Sequence, residues 1–229
     1  MAKNLLSRTP KIHIARALLG AAIAASAFAA LPAQADSPVG AAAAGAVPAA
    51  VAAKQQPPVE GTGDVKPTAA QVLTLAKQQI GTTENSLGGG TKFQKWYMNS
   101  QRAAETIARD GGNRQAYLNA AWCAMFVSWV GENTGARSTI GWDAYTVTHA
   151  KWFKDNARWG VEPKEGSVVF FAWNGSKSLT SIEHVGFVVK DNGDGTLTTV
   201  EGNTGNGKVE ERVRPKSQVV GYGYPEYRA

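Results

Sequence analysis

The chain has 229 residues, of which 43% are hydrophobic, an ordinary globular content. Its formal charge of +6 leans on Lys3, Arg8, Lys11 and Arg16, which lie in the first 35 positions, where no acidic residue occurs. Beyond that segment 20 basic residues face 18 acidic ones with no basic run, which argues against a nucleic-acid binder.

The N-terminal basic residues precede an apolar run, Ala17 to Leu31, and Ala33-Gln34-Ala35 follows as an A-x-A cleavage pattern. Residues 1–35 therefore read as a secretory signal peptide. The apolar run of 15 residues is shorter than the ~20 needed to span a bilayer. The mature chain is expected outside the cell, with no membrane attachment after cleavage. Residues 36–66 are rich in Ala, Pro, Gly and Val and carry no aromatic residue. They read as a disordered linker.

The folded domain is expected over residues 67–229, enough for one core. All seven tryptophans fall inside it. Thr68 is a plausible N-cap for an apolar stripe of Ala69, Val72, Leu73, Ala76 and Ile80 that stops at Gly81. Helical patterns follow from about Thr91 to Asn99, Arg102 to Arg109, Ala120 to Asn133 and Ala144 to Asp155. The period then changes. Val168 to Trp173, Ile182 to Lys190, Thr196 to Glu201, Lys208 to Arg214 and Val219 to Tyr224 are short β-prone runs bounded by turn residues. Helices first and strands after predict an α+β fold, with N-terminal helices packed on a small antiparallel sheet.

The only cysteine, Cys123, opens the fourth helical pattern. Cys123, Phe126, Val127 and Val130 share one helix face, with Asn119 as a plausible N-cap. The positive end of a helix dipole favours an anion there. In an oxidising compartment a lone cysteine closes no internal disulfide. It is either a small buried hydrophobe or kept for its reactivity.

Two histidines remain beyond the signal segment, His149 and His184. His149 reads as the solvated face of a helix. His184 starts a strand-like run joined to the next by Asp191-Asn192-Gly193-Asp194-Gly195, a hairpin signal. A register in which paired numbers sum to 385 sets His184 opposite Glu201, and a sum of 387 sets it opposite Asn203. Both odd sums put the imidazole on the face shared by Glu201 and Asn203; a sum of 386 would offset those pairings and oppose the arrangement. A thiolate, an imidazole that moves its proton and a side-chain oxygen that orients the ring make up a nucleophilic acyl-transfer site. Catalytic candidates are therefore Cys123, His184, Glu201 and Asn203, with the Cys123 backbone N–H as an oxyanion donor.

Trp122-Cys123-Ala124 opening a helix, His184-Val185-Gly186-Phe187-Val188 on a strand, and Val200-Glu201-Gly202-Asn203 a hairpin later resemble the CHAP family of cysteine- and histidine-dependent amidohydrolases and peptidases. Gly166-Ser167-Val168-Val169-Phe170-Phe171 resembles that family's first sheet strand. The resemblance spans roughly residues 68–224. It implies a papain-like fold and a secreted or wall-associated enzyme cutting peptidoglycan amide bonds, as an endopeptidase or an N-acetylmuramoyl-L-alanine amidase. By that resemblance Cys123 is the nucleophile, His184 the base and acid, Glu201 the orienting group and Asn203 a helper or substitute. Two departures stand out. Ala124-Met125 replaces the acidic residue that many relatives carry after the cysteine, and Arg109-Asp110-Gly111-Gly112-Asn113 is too poor in carboxylates for a calcium loop.

No cofactor or metal is expected: one Cys and two His are too few for zinc, and Gly202 to Gly207 opens no helix as a dinucleotide loop would. A monomer acting on peptidoglycan is expected. Two other readings stay open at this point, a non-catalytic wall-binding module and a cysteine acyltransferase whose acceptor is an amine instead of water.

Overall fold

The computed structural model describes residues 66–229. The signal peptide and most of the linker expected for residues 1–66 lie outside the described residues. The domain opens on α1 (Ala69–Lys77), α2 (Lys92–Asn99) and α3 (Gln101–Asp110). The first two start on capping boxes. Thr68 and Thr91 accept the backbone N–H of Gln71 and Gln94, whose side chains reach back to the capping residues. Helix α1 stops three residues before Ile80, which stays 47% exposed outside the apolar stripe.

Helix α4 (Cys123–Asn133) is the centre of the packing. Cys123 to Ser128 are all buried, and so is Val130. A helix apolar nearly all round has to be enclosed. Here α1, α2, α5 (Arg137–Ile140), β3 (His184–Asp191) and β4 (Thr196–Thr204) enclose it. Phe93 of α2 stacks on Trp122 at 5.3 Å between ring centroids and meets Phe126 edge-on. Phe126 in turn meets Phe187 of β3. Each of these phenylalanines is fully buried, which contributes roughly 2–3 kcal/mol per ring. Helix α4 begins three residues later than its apolar pattern suggests. Residues Arg114–Asn119 form a separate 3-10 turn, so Asn119 ends that turn and Trp122 takes the N-cap position.

Helix α6 (Thr146–Asp155) leads into a six-stranded antiparallel sheet. Its strands are β1 (Trp159–Gly160), β2 (Val168–Phe171), β3, β4, β5 (Lys208–Pro215) and β6 (Val219–Gly223). The order across the sheet is β1-β6-β2-β3-β4-β5. The α+β expectation therefore holds, with helices first and an antiparallel sheet after them. Both faces of the sheet carry apolar side chains. Val168, Phe170, Val185, Phe187 and Val200 join the core around the helices. Val169, Phe171, Val188, Leu197, Val219 and Tyr222 form a second cluster, which explains why β2 is an unbroken apolar run.

His149 corrects the surface reading. It is fully buried, with Nε2 2.6 Å from the carbonyl oxygen of Ile140. The cause is α5, a four-residue helix too short for its sequence pattern to announce. It ends at Gly141 in the left-handed region (φ 81°), where a Cβ would stand 2.8 Å from Trp152 and 3.1 Å from His149 Nε2. That close return of the chain covers the histidine.

Candidate active site

Cys123 is the first residue of α4, and His184 is the first residue of β3. No side chain caps α4, so the first N–H groups of that helix keep their free donors. Gly202 sits against the same helix start. A Cβ on Gly202 would lie 2.6 Å from Phe126 Cβ and 2.7 Å from Trp122. The missing side chain lets the end of β4 close on the residues flanking Cys123.

Near the turn, β3 and β4 pair Asp191↔Leu197 and Lys190↔Thr198, a sum of 388; past a bulge between Val188 and Lys190 they pair Val188↔Thr199 and Phe187↔Val200, the 387 register. Continued, it sets Gly186 against Glu201 and His184 against Asn203. The Glu201 side chain lies over Gly186, where a Cβ would come within 2.7 Å of its Cγ. From there the carboxylate reaches diagonally to His184, whose Nε2–H donates to Oε2 at 2.9 Å. Asn203 makes no hydrogen bond to the ring. It occupies the left-handed region (φ 57°) at a break in the β4–β5 register. Of the two oxygen candidates, geometry brings Glu201 to the histidine and leaves Asn203 beside it.

Alternation places His184 and Gly186 on the face opposite Val185 and Phe187, which point to the helices. Cys123 and His184 still meet, because both stand at the ends of their elements and not within them. The thiol lies close enough to the ring to raise its pKa, as hydrogen-bonding neighbour and through charge. With Nε2 engaged by Glu201, Nδ1 is the ring nitrogen left for the sulfur.

Glu201 is fully buried and fully partnered. Thr199 Oγ1 donates to Oε1 at 2.6 Å. Arg214 of β5 grips both oxygens, Nε to Oε1 at 2.9 Å and Nη2 to Oε2 at 2.6 Å. Burial alone would raise the pKa of this carboxyl, but Arg214 first, then His184 and Thr199, bring it down to about 2. Burial likewise works to lower the His184 pKa; Cys123 and Glu201 outweigh it and push the ring up to about 9. Trp173, 40% exposed, covers the pair, its ring 5.3 Å from the imidazole and 4.9 Å from the Arg214 guanidinium. Its backbone N–H is fixed by Glu183 Oε2 at 2.9 Å.

The CHAP domain model matches residues 112–203. That stretch holds Cys123, His184, Glu201 and Asn203, and it ends before Arg214. The CHAP match is consistent with a hydrolase of the amidase or peptidase kind and with peptidoglycan as its substrate. No curated protein matches the chain. Within the described residues no helix is long and apolar enough to cross a membrane.

Thr199, Arg214, Trp173 and Gly186 escaped the sequence reading. A signal for Arg214 does exist. Pairing of Glu201 with Glu210 puts Glu210, Arg212 and Arg214 on the face of β5 that Thr199 and Glu201 share on β4. The turn and register have to be known first. Elsewhere, a cavity of about 550 Å³ lies against β1 and β6 and is lined by Trp159, Glu162, Lys177, Lys216 and Tyr222. Neither the cysteine nor a histidine lines it. Cys123 and His184 are instead nearly buried, each residue 5% exposed.

Proposed function

We propose that the protein is an exported cysteine amidohydrolase that cuts amide bonds in peptidoglycan through Cys123, with His184 as base and acid and Glu201 as the orienting group. The observation that carries this reading is the His184 imidazole bound at 2.9 Å to a buried carboxylate and raised in pKa by the neighbouring Cys123 thiol. Export rests on the N-terminal basic and apolar segment ending in Ala33-Gln34-Ala35.

His184 takes the thiol proton, and a ring that stays protonated up to about pH 9 holds it. The sulfur attacks the scissile carbonyl carbon, an S–C bond forms, and the C=O π electrons move to oxygen. The free N–H groups at the start of α4 are placed to donate to that oxyanion. The oxyanion then collapses, the C–N bond breaks, and the imidazolium gives its proton to the leaving amine. Water attacks the thioester as His184 takes a proton from it. The C–S bond breaks, a carboxylic acid leaves, and the proton returns to sulfur. Throughout, Glu201 holds Nε2–H, which keeps Nδ1 turned to the thiol.

The test incubates purified peptidoglycan with the wild type and with Cys123→Ala and weighs the released fragments by mass spectrometry. New amino termini paired with new carboxyl termini, absent with the variant, are expected. Their positions tell stem-peptide or cross-bridge cleavage from cleavage at the muramoyl amide. Equal release by both proteins rejects the reading. Sedimentation with the wall and no fragments from the wild type would favour a binding module instead.

A further inference from the structure

We propose that Arg214 is a positioning residue of this site, acting through Glu201: its guanidinium fork fixes the plane of the carboxylate that orients His184, and Trp173 shields that fork from water. The inference rests on the hydrolase reading above and adds a residue outside the matched stretch.

The geometry is that of a clamp. A carboxylate can rotate about its last bond, and a single hydrogen bond to His184 would leave that rotation free. Arg214 removes it by meeting both oxygens at once, Nε on Oε1 and Nη2 on Oε2. Thr199 takes a further site on Oε1, and His184 completes Oε2. The guanidinium is itself held, with Nη2 donating to Thr204 Oγ1 at 3.1 Å and its plane lying near the Trp173 ring. Lysine offers a point charge with no fork and cannot reproduce this arrangement.

The charge has a second effect. The ionisable groups around Glu201 are His184 on β3, Cys123 on α4 beyond it, and Glu210, Arg212 and Arg214 on β5. Arg214 is the foremost of the groups that keep Glu201 ionised. Without it a fully buried carboxyl would lean on the imidazolium and the Thr199 hydroxyl alone. Its proton affinity would climb, and protonation would take away the acceptor that His184 needs. With Arg214 in place Glu201 stays an anion throughout the working pH range. The role of Arg214 as a mere strand tie predicts a different outcome, a loss of stability with no change in pH behaviour.

The experiment measures fragment release from peptidoglycan between pH 4 and 10 for the wild type, Arg214→Met and Arg214→Lys, each checked for folding by circular dichroism. The rate of Cys123 alkylation by iodoacetamide over the same range gives a readout without substrate. Arg214→Met should lose on the order of 10-fold or more in rate and gain a new acid limb above pH 4, where the wild type is flat. Arg214→Lys should recover the flat acid side and not the rate. In a Glu201→Gln background, Arg214→Met should change the rate by less than about 2-fold, because residues acting as a unit are not additive. A drop of equal size at every pH, or an undiminished drop in that background, overturns the proposal. If Arg214→Met does not fold, Arg214→Lys decides: a wild-type rate and profile then overturns it. A wild type that releases no fragments defeats the hydrolase reading alone, and the alkylation profiles still judge Arg214.

Discussion

His184 and His149 are both buried in the same domain, 5% and 0% exposed, yet their environments drive them apart. His149 stacks on Phe153 at 5.5 Å and offers Nε2 to one carbonyl, while Nδ1 finds no partner among the described residues. Burial dominates there and lowers its pKa. His184 is buried almost as deeply but stands between a thiol and a carboxylate, which lift it to about 9. Burial is therefore common to both, and charge decides. A neutral ring donating to a carbonyl can only hold a loop; a ring between two acidic groups can carry a proton from one reaction step to the next.

The sharpest way to break this contrast is substitution. Cys123→Ala should cut fragment release by about 10³-fold or more, with the thermal unfolding midpoint little changed. His184→Phe should cut release as far and also lower the midpoint, because buried Glu201 loses a partner. His149→Phe should leave release within about 3-fold but destabilise the fold by about 1–3 kcal/mol, because the Ile140 carbonyl loses its donor. Parallel wall-digestion and melting measurements check all three. Loss of activity in a folded His149→Phe, or its survival in His184→Phe, would erase the distinction. A subtler change is Gly186→Ala. The new methyl group would press on Glu201 Cγ and on the Val200 carbonyl, tilting the carboxylate away from Nε2. Release should fall by roughly 10-fold, in the range seen when a supporting hydrogen bond is lost. Unchanged release would mean that Glu201 reaches His184 by another path.

Both histidines also mark how far the sequence could be read. His184 was legible because either odd register leaves His184, Glu201 and Asn203 on one face, but the turn alone does not set that register: the pairs next to it sum to 388, and the bulge between Val188 and Lys190 restores 387. Choosing between Glu201 and Asn203 was beyond it. That choice depends on Gly186 leaving room for a side chain and on a left-handed residue at 203, neither of which shows in alternation. His149 was misread because its cover comes from α5, four residues whose placement is set by tertiary packing. Arg214 was missed for a related reason. Its partnership with Glu201 spans two strands and a break in register, so no spacing in the chain announces it. Capping boxes at Thr68 and Thr91 mark the other extreme, since their partners lie three residues away.

The smallest expected effect separates the two histidines by the direction in which they couple folding to pH. The pKa of His184 is raised from 6.5 to about 9 on folding. Its contribution is whole below about pH 6.5 and is lost as pH rises through about 9. Glu201 is lowered from 4.5 to about 2, so its contribution is whole above about pH 4.5 and fails only as pH falls toward 2. His149 is lowered from 6.5, and the unfolded chain takes up its proton first, so stability falls as pH drops below about 6.5. The three together place maximum stability near pH 6.5, with limbs of at most a few kcal/mol on either side. Denaturant unfolding across pH 5 to 9.5 measures both limbs. His149→Phe should flatten the acid limb and leave the alkaline one. Cys123→Ala removes one of the two groups that raise His184, so it should draw the alkaline limb to lower pH and shrink it. An alkaline limb indifferent to the loss of the thiol would mean that sulfur and imidazole do not share a proton, and the pairing on which the proposed chemistry depends would fail with it.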